Sequence, residues 1–287
     1  HRLPNGQEET IYPRSRTFIP ARVQDNPFLD NDANYLAQLQ KLPEPLRSAM
    51  LYGDFSQSLS DKPLQLFPSD WVRAAITRHA AMHARLPDPT HKLPLTALGV
   101  DVARGGTDST IVSRRYGSYY APFDVVPSNQ ARTGPEVAAR VISLSRNECP
   151  IVVDATGVGA SVYDHLTQGL GLENVRPHVG SAQSNRRDLS RMLGFVNLRS
   201  QVYWQLREAL DPSSPLKIAL PDDPELVEEL LAMTWEEQSK KIKVITKKDL
   251  IKVLGRSPDK ADALTLAFSV RDEDDPVLDE AARRREA

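Results

Sequence analysis

Two apolar runs that each carry an aspartate at their end constrain the fold of this chain more than any other feature. The first run is LTALGVDVA, with Asp101 near its end, and the second is CPIVVDATG, with Asp154 near its end. Both are typical of buried strands, and small residues follow each aspartate. The carboxyl ends of neighbouring parallel strands meet at one edge of a sheet, about 5 Å apart. The sequence therefore predicts two facing carboxylates at the edge of an α/β sheet.

The segments around these two runs predict a mixed sheet flanked by helices. The runs LTALGVDVA, DSTIVSRRYG and YYAPFDVVP are β-rich and separated by turns, as in an antiparallel meander, whereas CPIVVDATG and NVRPHVG fit parallel strands. The pattern TWEEQSKKIKVITKKD predicts a lysine-rich β-hairpin. Helices are predicted over GPEVAARVISLSRN, GASVYDHLTQGL, RDLSRMLGFVNLRSQVYWQLREAL, DDPELVEELLAM and SPDKADALTLAFSVRD.

The first third of the chain is short of core-forming residues and rich in proline. It predicts a strand over RTFIPARV, interrupted by Pro20, and helices over DNDANYLAQLQKL, PEPLRSAMLYGDF and SDWVRAAITRHAAMHARL. We interpret 1–55 as a mostly helical connector, 56–94 as a linker helix region, 95–272 as the main domain and 273–287 as a charged tail of the kind that is often disordered.

Composition sets few limits on function. The net charge of −2 gives no argument for nucleic acid from the chain as a whole. A single cysteine, Cys149, excludes an internal disulfide bond and fits a reducing compartment, where we expect it to be a small core residue. No stretch approaches the roughly 20 apolar residues of a membrane span, and the first residues lack the apolar core of a signal peptide. These features favour a soluble intracellular protein.

The aspartates point to a metal ion. Two carboxylates as close as Asp101 and Asp154 would repel each other unless a cation lay between them, and a hard divalent ion with oxygen ligands fits best. A third carboxylate is expected from the helix SPDKADALTLAF, where Asp259 and Asp262 are spaced i, i+3 and share one face. Three downstream apolar residues of that helix would dock it on the sheet: Leu264, Ala267 and Phe268.

Three segments, in this order, carry a resemblance to a known family. GVDVARGGTDSTIV, VVDATGVGASVYDHL and SPDKADALTLAF resemble the acidic motifs of the ribonuclease H-like nuclease domain of phage terminase large subunits. RTFIPARVQDNPFL and YLAQLQKLPEPLRSAMLYGDF resemble the end of the terminase packaging ATPase, and the likeness also covers LGFVNLRSQVYWQLREAL and the lysine-rich hairpin. The resemblance implies a ribonuclease H-like fold and a metal-dependent endonuclease that cuts concatemeric viral DNA during genome packaging.

The resemblance also implies roles for individual residues. Asp101 would bridge two divalent cations, Mg²⁺ or Mn²⁺, while Asp154 would bind one ion and Asp262 the other. Asp259 resembles the accessory acid in the DxxDA pattern of Holliday-junction resolvases, which are an alternative nuclease class. A phosphate-binding G-x-x-x-x-G-K-[ST] loop occurs nowhere in the sequence, so we expect only the last elements of the ATPase and no ATP hydrolysis.

The partners implied by the resemblance are double-stranded DNA, the portal protein and the small terminase subunit, in the cytoplasm of the host cell, with no membrane. DNA would be held through phosphate contacts, which carry no sequence information. The basic residues available for such contacts form two clusters: Lys240, Lys241, Lys243, Lys247, Lys248, Lys252 and Arg256 around the hairpin, and Arg186, Arg187 and Arg191 upstream of it.

Plainer interpretations stay open for these features. Asp101 and Asp154 could be turn residues that bind local backbone, Asp259 could be a charge in a first helical turn, and the lysines could be a solvated hairpin face. GVDVARGGTDST and VVDATGVGAS also resemble phosphate loops of actin-like ATPases and sugar kinases, and a non-catalytic docking domain is a third possibility. Four residues are expected to have structural roles only: His79 and His83 on an exposed helix face, and Trp204 and Trp235 in packing.

Overall fold

The computed structural model describes residues 25–26, 33–40, 51, 61–62, 64–103, 109–130, 133–146 and 148–270. The chain divides into two compact units, 1–60 and 61–287. In the first unit, α1 spans Ala33–Gln40, and its Leu39 is buried in a small apolar cluster with Leu51. Three predictions fall almost wholly outside the described residues: the strand over 16–23, the helix over 43–55 and the charged tail.

The second unit contains two sheets and a set of flanking helices. The strands of the main sheet are β1 (Ala97–Asp101), β2 (Ser109–Tyr116), β3 (Tyr119–Tyr120), β4 (Asp124–Pro127), β5 (Ile151–Asp154) and β6 (Val175–His178), and those of the small sheet are β7 (Gly194–Phe195), β8 (Trp235–Gln238) and β9 (Lys241–Val244). The helices are α2 (Ser69–Arg85), α3 (Pro89–Lys92), α4 (Gly134–Leu144), α5 (Gly159–Asp164, continued by a π-helical turn over His165–Gly169), α6 (Leu198–Leu210), α7 (Pro224–Ala232), α8 (Lys247–Leu254) and α9 (Asp259–Phe268).

The main sheet has an antiparallel side and a parallel side, which confirms the predicted fold class. Its strand order is β3-β2-β1-β5-β6, and β4 pairs with β2 beside β3. β1 is antiparallel to β2 but parallel to β5, and β5 is parallel to β6. The predicted strand YYAPFDVVP forms two short strands, β3 and β4. Pro122 lies between them and has no N–H for the ladder.

The alternation of side chains along the strands determines which face of the sheet Asp101 and Asp154 lie on. Leu98 and Val100 of β1 and Val153 of β5 pack in one apolar cluster with α4 and α5. Ala97 and Val152 pack on the opposite face against Leu266 of α9. Because successive side chains alternate between faces, Asp101 and Asp154 project toward α9 rather than toward α4.

Gly99 allows α9 to lie directly on β1. A Cβ atom at Gly99 would stand 2.2 Å from the carbonyl oxygen of Ala263 and 2.3 Å from the backbone nitrogen of Ala267. The helix presents small, fully buried residues to the sheet at this point, Ala263 and Ala267. Any side chain at Gly99 would push α9 away from the sheet, and with it the two aspartates at the start of that helix.

The long helix predicted over RDLSRMLGFVNLRSQVYWQLREAL is wrong for its first half. α6 begins only at Leu198, where the Asn197 side chain accepts a hydrogen bond from the backbone N–H of Ser200. Upstream, the Asp188 carboxylate accepts bonds from the backbone N–H groups of Ser190 and Leu193 and folds the chain into a turn. Local side-chain bonds to the backbone therefore replace the first helical turns, and β7 follows them.

The lysine-rich hairpin is confirmed over β8 and β9, but its end was not foreseen. Lys247 and the seven residues after it form α8, with Thr246 as its N-cap and Gly255, at a φ of 76°, closing it. Because Thr246 is β-branched and follows the alternating, β-rich stretch KIKVI, the pattern favours a longer strand over a helix cap. The helix therefore fixes the position of Lys247, which is its first residue.

α2 and its surroundings belong to the core of the second unit. His79, predicted to be exposed, is only 8% exposed and stacks on Tyr119 with ring centroids 4.6 Å apart, whereas His83 is exposed as expected. Trp204 and Trp235 pack edge-to-face, and Cys149 is buried, as predicted. Across the described part of the chain, no helix combines the length and apolar character needed to cross a membrane.

Candidate active site

Four carboxylates meet where the main sheet ends and α9 begins. Asp101 ends β1, Asp154 ends β5, and Asp259 and Asp262 occupy the first turn of α9. Asp101 and Asp262 are buried, with only 5% and 7% of their surface exposed. A cavity opens beside them, lined by Asp154, His178, Gly180, Arg199, Val202, Tyr203, Lys247, Asp262, Thr265 and Leu266.

Lys247 places a positive charge among these carboxylates. Its Nζ lies 2.8 Å from Asp262 Oδ2, 3.4 Å from Asp101 Oδ2 and 3.9 Å from Asp259 Oδ1. This lysine is among the residues predicted from the sequence to contact DNA, but the first turn of α8 instead points it into the acidic cluster. One ammonium group is therefore shared by carboxylates from two separate elements, β1 and α9.

Asp262 is the most strongly held of the four acids. Its Oδ1 accepts a hydrogen bond from Arg199 Nη1 at 2.6 Å and another from the hydroxyl of Tyr203. Arg199 also lies over the ring of Tyr203, with its guanidinium carbon 4.6 Å from the ring centroid. Arg199 and Tyr203 are spaced i, i+4 on α6, so one helical face fixes the position of the Asp262 carboxylate.

The electrostatic environment separates the two buried aspartates. Burial raises the pKa of Asp101 well above its ordinary value, and the neighbouring carboxylates add to this, although Lys247 opposes it. Burial also acts to raise the pKa of Asp262, but the positive charges of Arg199 and Lys247 outweigh it and hold that pKa well below its ordinary value. For Lys247, the surrounding carboxylates outweigh burial and raise its pKa. The cluster thus favours a bound positive charge.

Asp154 and Asp259 are less constrained than Asp101 and Asp262. Asp154 Oδ1 accepts a hydrogen bond from the backbone N–H of Thr156, which is the local turn contact that the plainer interpretation allowed for. Asp154 also lines the cavity, so the turn contact orients a residue of the site. The backbone at Gly159 packs tightly under it, because a Cβ there would stand 1.8 Å from the Asp154 carbonyl oxygen. The side chain of Asp259 is 23% exposed at the rim.

The donor set fits a hard divalent cation. Carboxylate oxygens are the ligands that Mg²⁺ and Mn²⁺ prefer, and Lys247 shows that the cluster accepts a cation among its oxygens. Within the described residues, no three acidic, histidine or cysteine side chains already stand in a coordinating arrangement. The fit therefore rests on donor chemistry and on charge, and an ion would compete with Lys247 for the same oxygens.

The residues predicted to contact DNA fall into two groups, those paired with glutamates and those with exposed side chains. Arg256 forms ion pairs with three glutamates of α7, Glu225, Glu228 and Glu229, so its charge is satisfied inside the protein. Lys243 pairs with Glu236 across the hairpin at 2.8 Å. The remaining predicted residues of these clusters have exposed side chains: Arg186, Arg187, Arg191, Lys240, Lys241, Lys248 and Lys252.

The sequence did not single out three residues of the site: Arg199, Tyr203 and His178. The first two lie in LGFVNLRSQVYWQLREAL, which carried part of the family resemblance but no assigned role. Their i, i+4 spacing was a usable signal, but which buried group they face depends on how α6 packs against α9. His178 ends β6, and burial lowers its pKa.

Solved structures with a similar fold are nuclease domains of large terminase subunits. The nuclease domain of the large terminase subunit gp2 of bacterial virus Sf6 matches with a TM-score of 0.56 and 18% identity, over 72% of this chain and 99% of that one. A mutant of the same domain, solved with manganese and beta-thujaplicinol, matches with the same TM-score, identity and coverage. The large terminase nuclease from thermophilic phage G20c is a more distant match, with a TM-score of 0.43 and 18% identity over 62% of this chain and 83% of that one.

No family model and no curated protein sequence matches the chain. At 18% identity the likeness to the Sf6 domain shows a shared fold. The predicted resemblance to terminase nuclease domains, and the mixed sheet that it implied, are confirmed at that level.

Proposed function

We propose that this chain is a divalent-metal-dependent DNA endonuclease of the terminase large-subunit type, which cuts concatemeric viral DNA during genome packaging. The observation that carries the proposal is the convergence of Asp101, Asp259 and Asp262 on one ammonium group, that of Lys247, beside a cavity that Asp154 also lines. Buried carboxylates are costly unless they are paired, and their concentration at one sheet edge marks a functional site.

The cofactors of the proposed enzyme are two divalent cations, Mg²⁺ or Mn²⁺. A mutant of the Sf6 nuclease domain, which shares this fold, has been solved with manganese and with calcium. Bound at such a site, a pair of ions supplies an activated water on one side of a phosphodiester and charge stabilisation on the other. We assign Asp101 to both ions, Asp154 to one and Asp262 to the other, with Asp259 as an outer acid.

The chain's own residues then have distinct tasks. Arg199 and Tyr203 keep the Asp262 carboxylate in one orientation, so that only Oδ2 remains for a cation. Lys247 balances the negative charge of the cluster and holds it together without an ion. Thr156 orients Asp154 through its backbone N–H.

We assign the protein to the cytoplasm of the host cell, with the portal protein and the small terminase subunit as partners.

A basic surface beside the small sheet supports double-stranded DNA as the substrate. β7 brings the two predicted basic clusters together, because Arg187 and Lys241 both pair through their backbones with Gly194. Arg186 and Lys240 are their chain neighbours and are exposed, as are Arg187 and Lys241 themselves. We propose that these four residues, with Lys248, contact DNA phosphates. Arg256 is left out because three glutamates neutralise it.

Replacing Lys241 with alanine should weaken duplex DNA binding equally for all sequences and lower the slope of log affinity against log salt by about 1, because one phosphate contact releases about one counterion. Fluorescence anisotropy with duplexes of different sequence, over a range of salt concentrations, measures both effects. The matched control is Lys252→Ala, since Lys252 is an exposed lysine of α8 paired with Asp249. An unchanged slope for Lys241→Ala would show that the hairpin lysines are only a solvated face.

The proposed activity is tested with supercoiled plasmid and the purified chain in Mn²⁺, Mg²⁺ or EDTA. We expect nicked and linear products with either ion and none with EDTA, because the carboxylates cannot hydrolyse a phosphodiester without a bound divalent ion. The same preparation should release no phosphate from ATP above a buffer control, since the sequence has no phosphate-binding loop. If the plasmid stayed uncut with either ion and the protein hydrolysed ATP, the result would instead favour the actin-like class.

A further inference from the structure

His178 is the titratable residue of the cavity to which the proposed function gives no role. It ends β6 as Asp154 ends β5, and the two residues are partners across the parallel ladder. Side chains in register on neighbouring strands project from the same face, with about 5 Å between the strands. The imidazole therefore stands beside the Asp154 carboxylate, and both line the same cavity.

The surroundings of His178 leave its ring nitrogens available to a ligand. The charged groups that act on the ring are Asp154, Asp262 and Arg199, and the described residues offer neither nitrogen a hydrogen bond. Its backbone, by contrast, is fixed, because its carbonyl oxygen accepts a hydrogen bond from the N–H of Ala155 at 3.0 Å. The ring is held next to two candidate metal ligands but is not used by the protein itself.

We propose that His178 is a nitrogen ligand of the divalent ion that Asp154 holds, and that it shifts the preference of the site from Mg²⁺ toward Mn²⁺. This inference rests on the proposed function, because it concerns the same site. Mg²⁺ takes oxygen ligands almost entirely, whereas imidazole suits transition metals. The other candidate ligands at this edge, Asp101, Asp154, Asp259 and Asp262, supply only oxygen, so His178 is the group that would distinguish the two ions.

Pulsed electron paramagnetic resonance of Mn²⁺ bound to the full chain tests the ligand directly, since a coordinated imidazole couples its ¹⁴N nucleus to the metal. We expect this coupling in the unmodified protein and its loss in His178→Gln, which still binds Mn²⁺ through the carboxylates. The matched control is His165→Gln, because His165 lies after α5 and is not among the residues of the cavity. That variant should keep the coupling.

Titration calorimetry tests the preference. In His178→Gln we expect the affinity for Mn²⁺ to fall about 10-fold and that for Mg²⁺ by less than about 3-fold, because only the transition metal gains from nitrogen. Lack of ¹⁴N coupling in the unmodified protein, or its persistence in His178→Gln, would overturn the inference while leaving Mn²⁺ binding, and so the proposed function, intact. Equal losses for both ions would overturn the preference. A protein that binds no Mn²⁺ would overturn both proposals.

Discussion

Asp101→Asn is expected to abolish metal-dependent plasmid cleavage, with a loss well beyond the roughly 10–100-fold effect of removing an outer-shell partner. Asparagine keeps the shape of the side chain but removes the negative charge at the end of β1, which the proposed function assigns to both ions. Asp101 is buried and has like-charged neighbours, and burial raises its pKa, so a neutral side chain should fold at least as well. Initial rates of nicking in Mn²⁺ measure the effect.

A matched control for Asp101→Asn is Asp124→Asn. Asp124 is also a carboxylate of the main sheet, but it lies on β4, pairs with Arg114 and Arg140, and is not among the residues of the cavity. It should cut plasmid at a rate close to that of the unmodified protein. Both variants should bind duplex DNA with unchanged salt dependence, because the basic surface is intact. Cleavage by Asp101→Asn within a few fold of the unmodified rate would contradict the assignment.

Asp262 and Asp259 are expected to differ sharply, although they share one face of α9. Asp262→Asn should eliminate cutting, since this carboxylate is fixed by Arg199 and Tyr203 and faces Lys247 at 2.8 Å. Asp259→Asn should retain a measurable rate, about 10–100-fold below normal, because Asp259 lies at the rim, 3.9 Å from Lys247. Rates of plasmid nicking in Mn²⁺ for the two variants rank the two acids.

Removal of the Asp262 charge also leaves the Arg199 guanidinium without its acid, which can destabilise the protein by several kcal/mol. Asp262→Glu separates this effect from catalysis, because it keeps the charge while displacing it by one methylene group. It should fold, as judged by near-ultraviolet circular dichroism, and still fail to cut. A greater loss of activity in Asp259→Asn than in Asp262→Glu would show that α9 presents the other acid to the ions.

The strands, and the position of the acids in the candidate site, could be predicted because each depends on a local pattern. The apolar runs before Asp101 and Asp154 mark buried strands, and their parallel pairing brings the two aspartates to one edge. The i, i+3 spacing of Asp259 and Asp262 is likewise visible in the sequence. Gly99 completes the site by letting α9 approach, but its contact with Ala263 joins residues far apart in the chain.

The roles of the basic residues could not be predicted, because they depend on tertiary packing. Lys247 sits in a run of lysines, and only the Thr246 cap, which starts α8 there, directs it toward the carboxylates. Arg256 belongs to the same predicted basic cluster but faces the glutamates of α7. Asp188 shows the same limit for secondary structure, since its turn bonds replace a helix that the apolar pattern favours.

We expect the carboxylate cluster to hold divalent cations in place of the Lys247 ammonium group. A crystal of the full chain soaked in Mn²⁺, measured by anomalous diffraction, tests it most directly. We expect two manganese peaks that share Asp101 as a ligand, one bound also by Asp154 and the other by Asp262. Lys247 Nζ should have moved away from its 2.8 Å contact with Asp262 Oδ2. Well-ordered aspartates with no manganese among them, and Lys247 still paired with Asp262, would contradict it.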